Sequence, residues 1–264
     1  MREALPLNAD HQALARRLRD AYEREAISPL RDGLHPNDVA AAYAIQDANT
    51  AFWKTQGRRI VGRKVGLTGE AIQRQLGAEA PDLGVLFEDM RVADGGDLSP
   101  RRLIQPRAEG EIALILGRDV PGEETSPADM LAAAECAVAA IEIVDSRIAD
   151  WKISLADTIA DNASSAFFVL GKERKALTGL DLFSCGMVLE LNGKVASLGA
   201  GAACLGHPLA AAAWAARALV AGGEPLKAGD IVLTGALGPM VPIAPGMDVL
   251  VHIGGLGRAG FHLG

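Results

Sequence analysis

Aromatic residues, cysteines and long apolar runs are all scarce in this sequence of 264 residues. Only 4% of the residues are aromatic, so the core must consist mainly of aliphatic side chains. The three cysteines, Cys136, Cys185 and Cys204, form no CxxC pair, which argues against a structural zinc site and favours a reducing, cytoplasmic location. Arg217 interrupts the longest apolar stretch, so we expect no membrane span, which needs roughly 20 apolar residues.

Basic residues are fewer than acidic residues, and several common catalytic motifs are absent from the sequence. The chain has 26 Lys and Arg against 33 Asp and Glu, a net charge of −7, which argues against a nucleic-acid partner. No GxGxxG, GxxxxGK[ST] or GxSxG motif occurs, so the common nucleotide cradles and the serine-hydrolase elbow are not indicated. An anionic substrate would therefore need a local cation or a metal ion.

Helix signals dominate the first quarter of the chain, and strand signals dominate the rest. Two helices are predicted, one capped by Asp10 and running to about residue 25, the other starting at 36–38 and ending at Gly57. The strand-like runs that follow, and the hairpin signal Asn192-Gly193, predict an α+β fold with a mixed or antiparallel sheet. We expect a helical N-terminal cap (1–57) and a β-rich catalytic body (58–264) that carries the metal site.

Two segments of the body have less regular signals. Ser126-Pro127 predicts a helix that ends near Cys136 and leads into a strand. The polar run from Asp157 to Ser165 is either a loop of the site or a capped turn before the next strand.

Two carboxylates, Glu109 and Glu111, lie two residues apart on the predicted strand AEGEIALIL. Residues at i and i+2 of a strand point to the same face. The pair is either a solvated strand end or a set of oxygen ligands for Mg²⁺, Mn²⁺ or Ca²⁺. Glu142, within the apolar strand AAIEIVD, either supplies a third ligand or lies on a wet strand face. With no His or Cys near these acids in sequence, a hard cation is favoured over zinc.

A lysine and an aspartate are further candidates for chemistry. Lys64, flanked by glycines in GRKVGLT, suits an anionic substrate or proton transfer, but an exposed lysine on an edge strand gives the same pattern. Asp82, in APDLG, is either an acid/base group or a turn residue after Pro81.

Several segments in this order resemble the fumarylacetoacetate hydrolase superfamily, in particular its hydratase and decarboxylase branch. They extend over nearly the whole chain: ISPLRD, GRKVGLT, APDLGVLFEDM, QPRAEGEIALIL, IEIVDSRIADWKI, DTIADNASS and LKAGDIVLTGAL. The resemblance implies a mixed β-sandwich or β-roll body behind a helical N-terminal region. It also implies Mg²⁺ or Mn²⁺ held by Glu109, Glu111 and Glu142.

The resemblance assigns roles to four further residues. Lys64, Asp82 and Ser164 would be catalytic, and the backbone at Leu67 would contact a substrate carboxylate. The PDLG turn differs from the usual PDFG of the family, and the lysine and the His–acid pair of the C–C bond hydrolases lack counterparts, His35 being the nearest candidate. These differences favour the hydratase and decarboxylase branch over hydrolysis.

The implied activity is metal-dependent hydration of 2-hydroxypenta-2,4-dienoate in the meta-cleavage of aromatic compounds. The alternatives are decarboxylation of 4-oxalocrotonate and an inactive accessory subunit. The implied partner is a small-molecule substrate. The resemblance also predicts a homo-oligomer and allows association with a downstream aldolase or a sister decarboxylase.

Overall fold

A computed structural model of the chain describes residues 8–22 and 25–264. Within these residues, the helices lie at the N-terminus and between strands of the body. In chain order they are α1 (Ala9–Ala21), α2 (Val39–Thr55), α3 (Glu70–Leu76), α4 (Pro127–Ala133), α5 (Leu155–Ala160) and α6 (Pro208–Ala221).

Thirteen strands lie in the described chain after residue 59. In chain order they are β1 (Ile60–Gly66), β2 (Asp82–Phe87), β3 (Arg91–Val92), β4 (Gly96–Leu98), β5 (Arg107–Leu116), β6 (Ala134–Val144), β7 (Ser165–Leu170), β8 (Gly186–Leu191), β9 (Lys194–Ala200), β10 (Ile231–Ala236), β11 (Val241–Pro242), β12 (Met247–Ile253) and β13 (Gly257–Leu263).

These strands form two mixed sheets. The larger sheet has the order β2-β1-β10-β5-β6-β7-β3, with β11 also pairing with β5, and the smaller has the order β4-β13-β12-β8-β9. Most neighbours are antiparallel, but β1 runs parallel to β10, β3 to β7 and β4 to β13. The predicted mixed, two-layered α+β fold is confirmed.

The core lies where β12, β13 and β8 pack against β5, β6 and β7. Gly110, which lies between Glu109 and Glu111 on β5, allows the second sheet to pack closely at this position. A Cβ at Gly110 would lie 2.8 Å from a Val251 methyl group and 2.9 Å from the sulfur of Met187. The residue between Glu109 and Glu111 is therefore buried against the second sheet, while the two carboxylates face away from it.

Most local signals have the predicted outcome. Asp38 caps α2, and Ser126 and Asp129 form the capping box of α4. The turn Asn192-Gly193, with φ of +51° and +71°, joins β8 to β9 as a hairpin. These signals depend on neighbouring residues only, which is why the sequence reveals them.

Three predicted boundaries are wrong. The first helix is capped by Asn8, whose side chain accepts from the His11 N–H, rather than by Asp10, and its last residue is Ala21. Helix α4 ends at Ala133, and Cys136 already pairs with Ile115 in the β5–β6 ladder. Pairing with a ten-residue strand outweighs the helical preference of the alanines there.

The polar run before β7 contains a buried helix, α5, instead of an irregular loop. Ser154 and Asp157 form its capping box, and Asp157 also accepts a hydrogen bond of 2.8 Å from the Leu30 N–H. The polar residues are therefore partners for backbone groups inside the protein, which a polarity pattern does not reveal.

One apolar helical segment, Gly201–Ala221, is long enough to cross a membrane when only its length and composition are considered. Half of its most apolar window is buried inside the protein, and α6 packs against β10 and α4, as a core helix does. The proposed boundary between a cap (1–57) and a body (58–264) stays a prediction.

Candidate active site and metal centre

Three carboxylates from two neighbouring strands face one point on the larger sheet. Glu109 and Glu111 share a face of β5, and Glu142 on β6 lies directly opposite Glu109 in the antiparallel register. Directly opposed residues point to the same side of a sheet. One oxygen from each carboxylate therefore lies within 4.8 Å of the others.

Two of the three carboxylates are fully buried, Glu109 is partly exposed, and the cluster makes few hydrogen bonds. Glu111 and Glu142 have no exposed surface. Within the described chain, Oε1 of Glu111 and both oxygens of Glu142 accept no hydrogen bond, whereas Oε2 of Glu111 accepts from the Gly235 N–H at 2.9 Å. Buried carboxylate oxygens without partners are costly, and hard divalent cations prefer oxygen ligands. The cluster, which includes no His or Cys, therefore fits a hard divalent cation.

Mutual repulsion is evident in the protonation of these acids. Burial raises the pKa of Glu109 to about 7, and the charge of Glu142 adds to the effect. Burial, followed by the charges of Glu142 and Glu109, raises the pKa of Glu111 well above its usual range. Without a cation, the folded protein holds these carboxylates at a cost in free energy.

Lys64 on β1 is the cation nearest to this cluster among the described residues. Its side chain is almost fully buried, its Nζ lies 3.2 Å from Oε2 of Glu142, and it donates a hydrogen bond of 2.9 Å to the Ala163 carbonyl. Burial lowers the pKa of Lys64, but the charges of Glu142 and Asp82 outweigh burial and raise the pKa above its usual value. Lys64 is therefore a buried ammonium group, not the exposed lysine that the alternative interpretation expected.

Asp82 begins β2 and lies beside Lys64. A Cβ at Gly66, the residue opposite Asp82 on β1, would lie 2.2 Å from Oδ1 of Asp82 and 3.2 Å from Nζ of Lys64. Burial raises the pKa of Asp82 to about 6, although Lys64 lowers it. Oδ1 of Asp82 is buried without a hydrogen-bond partner in the described chain. Asp82 is therefore a buried carboxyl group and not a solvated turn residue.

Ser164 and Leu67 lie next to residues of this cluster. Ser164 follows Ala163, is buried, and has its Oγ 3.3 Å from Oγ1 of Thr158. Leu67 directly follows β1 with a left-handed φ of +55°, and its carbonyl accepts from the Gln73 amide at 2.7 Å. Left-handed backbone in a residue other than glycine is unusual and is often found at functional sites.

Residues 60–263 match the family described as fumarylacetoacetate (FAA) hydrolase C-terminal. This chain belongs to the fumarylacetoacetate hydrolase family. Its curated relatives include the 2-keto-4-pentenoate hydratase of Burkholderia vietnamiensis strain G4, which is 52% identical over 93% of this chain and 94% of that protein. The TodF product hydratase of Pseudomonas putida F1 is 51% identical over 88% of this chain and 87% of that protein.

Among solved structures, the 4-oxalocrotonate decarboxylase of Pseudomonas putida G7, in complex with magnesium and adipate, superposes with a TM-score of 0.92. It is 35% identical and covers 98% of this chain and 99% of its own. The resemblance to the fumarylacetoacetate hydrolase family seen in the sequence is therefore confirmed for both the sequence and the fold. The roles of the individual site residues stay predictions.

The sequence motifs did not reveal two residues of α2, Tyr43 and Gln46, that form hydrogen bonds with the backbone next to Asp82. The Tyr43 hydroxyl accepts from the Leu83 N–H at 3.0 Å, and the Gln46 amide donates to the carbonyls of Leu83 and Ile159 at 2.9 and 2.8 Å. Both residues hold the strand end beside Asp82 from the N-terminal helices. The sequence did contain one indication of these residues, since polar side chains three positions apart lie on one face of a helix.

Proposed function

We propose that the chain is a metal-dependent hydratase acting on 2-hydroxypenta-2,4-dienoate, the enol form of 2-keto-4-pentenoate, or on a homologue. The product would be 4-hydroxy-2-oxopentanoate or its homologue, within the meta-cleavage of aromatic compounds. The observation that carries this proposal is a largely buried cluster of three carboxylates beside Lys64 and Asp82, in a chain half identical to curated hydratases over most of its length.

The residues proposed to hold the cation, Mg²⁺ or Mn²⁺, are Glu109, Glu111 and Glu142. When bound, such a cation supplies an electrophile that stabilises negative charge developing on the 2-oxygen of the substrate. The oxygens of Glu111 and Glu142 that accept no hydrogen bond in the described chain, and the absence of nitrogen or sulfur ligands from the cluster, support this assignment.

Lys64 and Asp82 are the proposed proton-transfer pair. Hydration of the dienoate moves one proton from the 2-hydroxyl group to C5, and one water then supplies the hydroxyl group at C4 and the proton at C3. The Lys64 ammonium group is a proton donor held by Glu142 and the Ala163 carbonyl. With a pKa of about 6, the Asp82 carboxyl group is suited to accept and return a proton near neutral pH.

Two residues are proposed to position the reactants. Ser164, which is buried one residue after Ala163, would orient the substrate or the attacking water through its hydroxyl. The backbone at Leu67, in the strained loop after β1, would contact the substrate carboxylate.

Decarboxylation of 4-oxalocrotonate is the second candidate, supported by the similarity to the decarboxylase structure. A dicarboxylate needs a second cation at the far end of the site. Arg63 is turned to the opposite side and pairs with Glu224 at 2.7 Å, as strand alternation predicts, and Lys152 pairs with Asp150 at the exposed surface. The pairing of both cations elsewhere supports a monocarboxylate substrate.

Incubation of the purified protein and Mg²⁺ with each substrate tests the proposal. We expect the ultraviolet absorbance of the dienoate to disappear quickly and little CO₂ to be released from 4-oxalocrotonate. Equal or faster CO₂ release would contradict the hydratase assignment and support the decarboxylase. Turnover of neither substrate with Mg²⁺ or Mn²⁺ would support an accessory subunit without activity.

We also propose a cytoplasmic homo-oligomer that can associate with a downstream aldolase or a sister decarboxylase. The three free, buried cysteines support the cytoplasmic location, and the name of one relative, the TodF product hydratase, supports action on the product of another enzyme. Sedimentation of the protein, alone and mixed with each candidate enzyme, measures both kinds of association.

A further inference from the structure

Three consecutive residues between α5 and β7 adopt left-handed backbone, and none of them is glycine. Asn162, Ala163 and Ser164 have φ angles of +56°, +50° and +53°. In residues 8–22 and 25–264, no longer run of this kind occurs. Because left-handed backbone is unfavourable for L-residues, the surrounding structure must hold this turn in place.

The middle residue of the turn contacts the proposed proton donor. The Ala163 carbonyl accepts the hydrogen bond of Lys64 Nζ at 2.9 Å, and the same Nζ lies 3.2 Å from Glu142. The turn therefore supplies one of the two contacts that hold the ammonium group. A right-handed turn would direct this carbonyl elsewhere.

The side chain of Asn162 attaches the turn to strand β2. Its Oδ1 accepts from the Val85 N–H at 2.7 Å, and its Nδ2 donates to the Val85 carbonyl at 3.0 Å. Strand β2 is the edge of the larger sheet, so these backbone groups have no neighbouring strand on that side. A short amide side chain supplies both a donor and an acceptor and tolerates left-handed backbone.

A glycine on β2 lets the turn approach closely. A Cβ at Gly84 would lie 2.7 Å from the Asn162 carbonyl oxygen and 2.9 Å from Cγ of Lys64. The turn, strand β2 and the stem of Lys64 are thus in contact with no space between them. Movement of the turn away from β2 would release the lysine from the Ala163 carbonyl.

We propose that Asn162 is a positioning residue whose two hydrogen bonds to Val85 keep the Ala163 carbonyl on Lys64. The effect on turnover rests on the function proposed above, but the effect on Lys64 itself does not. Asn162 is not proposed to contact the substrate.

Asn162→Gly is the test variant, because glycine adopts the left-handed backbone freely and removes only the two side-chain hydrogen bonds. We expect kcat for dienoate hydration to fall about 10- to 100-fold, as for a misplaced catalytic group, with KM and Mg²⁺ affinity nearly unchanged. In the metal-free protein, labelling of Lys64 by an amine reagent, measured by peptide mass spectrometry, should become about tenfold faster.

Asn192→Gly is the matched control. Asn192 is also a left-handed asparagine, with φ of +51°, and its side chain accepts from the Asp248 N–H at 2.8 Å in the exposed β8–β9 hairpin. This variant should leave kcat and Lys64 labelling as in the wild type. Asn162→Asp, which keeps the acceptor and loses the donor, should fall between the wild type and Asn162→Gly, and it serves if the glycine variant does not fold.

Unchanged labelling of Lys64 in Asn162→Gly and in Asn162→Asp would overturn the positioning role, whatever the activity. A kcat within twofold of wild type in Asn162→Gly would overturn it as well. If the wild type hydrates no dienoate, the proposed function fails, and the labelling experiment alone decides the role of Asn162.

Discussion

Two groups of buried charges in this protein differ in how completely they are satisfied. Arg147 and Asp161 form a buried ion pair, called the closed pair below. The Nε of Arg147 donates to Oδ1 of Asp161 at 2.6 Å, and the backbone N–H of Arg147 donates to Oδ2 at 2.9 Å. A second guanidinium nitrogen, Nη2, donates to the carbonyls of Asp161 and Ser165. Each charge has an opposite charge and hydrogen-bond partners, so this pair needs nothing from outside the chain.

The carboxylate cluster, together with Asp82 and Lys64, has fewer opposite charges and hydrogen bonds than acids. Four carboxyl groups, those of Glu109, Glu111, Glu142 and Asp82, surround the single ammonium group of Lys64. Several of their buried oxygens accept no hydrogen bond within the described chain. The same protein surrounds a buried pair with hydrogen bonds at one place and, at another, gathers four carboxyl groups around one ammonium group, an excess of negative charge that a bound cation would offset.

Removal of the cation should have the largest effect. After treatment with EDTA, we expect the hydration rate to fall by roughly 10³-fold or more, since electrophilic stabilisation by a metal contributes several kcal/mol. Addition of Mg²⁺ or Mn²⁺ should restore the rate in the wild type, measured by ultraviolet absorbance. Full activity in a preparation shown by elemental analysis to be metal-free would contradict the metal assignment.

Replacement of the ammonium group should have the next largest effect. We expect Lys64→Met to lower kcat by about 10²–10⁴-fold, the usual contribution of a positioned acid or base, with little change in metal affinity. Lys152→Met, at an exposed lysine paired with Asp150, is the control and should leave kcat unchanged. A higher KM with an unchanged kcat would mean that Lys64 only binds the substrate anion.

Removal of the negative charge from the Arg147–Asp161 pair should reduce the stability of the protein. Asp161→Asn leaves the buried guanidinium group of Arg147 without its counter-charge, and we expect the free energy of unfolding in urea to fall by about 3–5 kcal/mol. The control is Asp32→Asn, which breaks the exposed pair with Arg17 and should cost less than about 1 kcal/mol. Equal effects of the two variants would show that burial does not distinguish these pairs.

In the carboxylate cluster, a change from carboxylate to amide should raise the free energy of unfolding instead of lowering it. In the metal-free protein, we expect Glu111→Gln to raise the free energy of unfolding by about 1 kcal/mol, because it removes an acid whose charged form is disfavoured first by burial and then by the charges of Glu142 and Glu109. The folded-state pKa of Glu109, about 7, lies above its ordinary 4.5, so protonation favours the folded state.

The metal-free wild type should therefore gain stability as the pH falls from about 8 towards 5, and Glu111→Gln should gain less. Thermal unfolding of both proteins across this range measures the effect. Destabilisation of the metal-free protein by Glu111→Gln would contradict the repulsion in the cluster.

Local signals in the sequence predicted much of the fold. The Ser126 capping box and the Asn192-Gly193 hairpin each depend on a few adjacent residues, and both are present. The end of α4 and the buried helix α5 were not predicted. Both depend on contacts with distant segments, namely the pairing of β6 with β5 and the hydrogen bond from Leu30 to Asp157.

The sequence by itself determined that Glu109 and Glu111 share a strand face, because alternation is a property of every strand. Its segments also indicated the family. Only the tertiary structure decided that Glu142 lies opposite Glu109, since the register between two strands depends on long-range pairing and on the packing of both sheets. The left-handed turn at Asn162 likewise has a tertiary partner, because the Asn162 side chain accepts a hydrogen bond from the backbone of Val85 on β2, 77 positions away in the sequence.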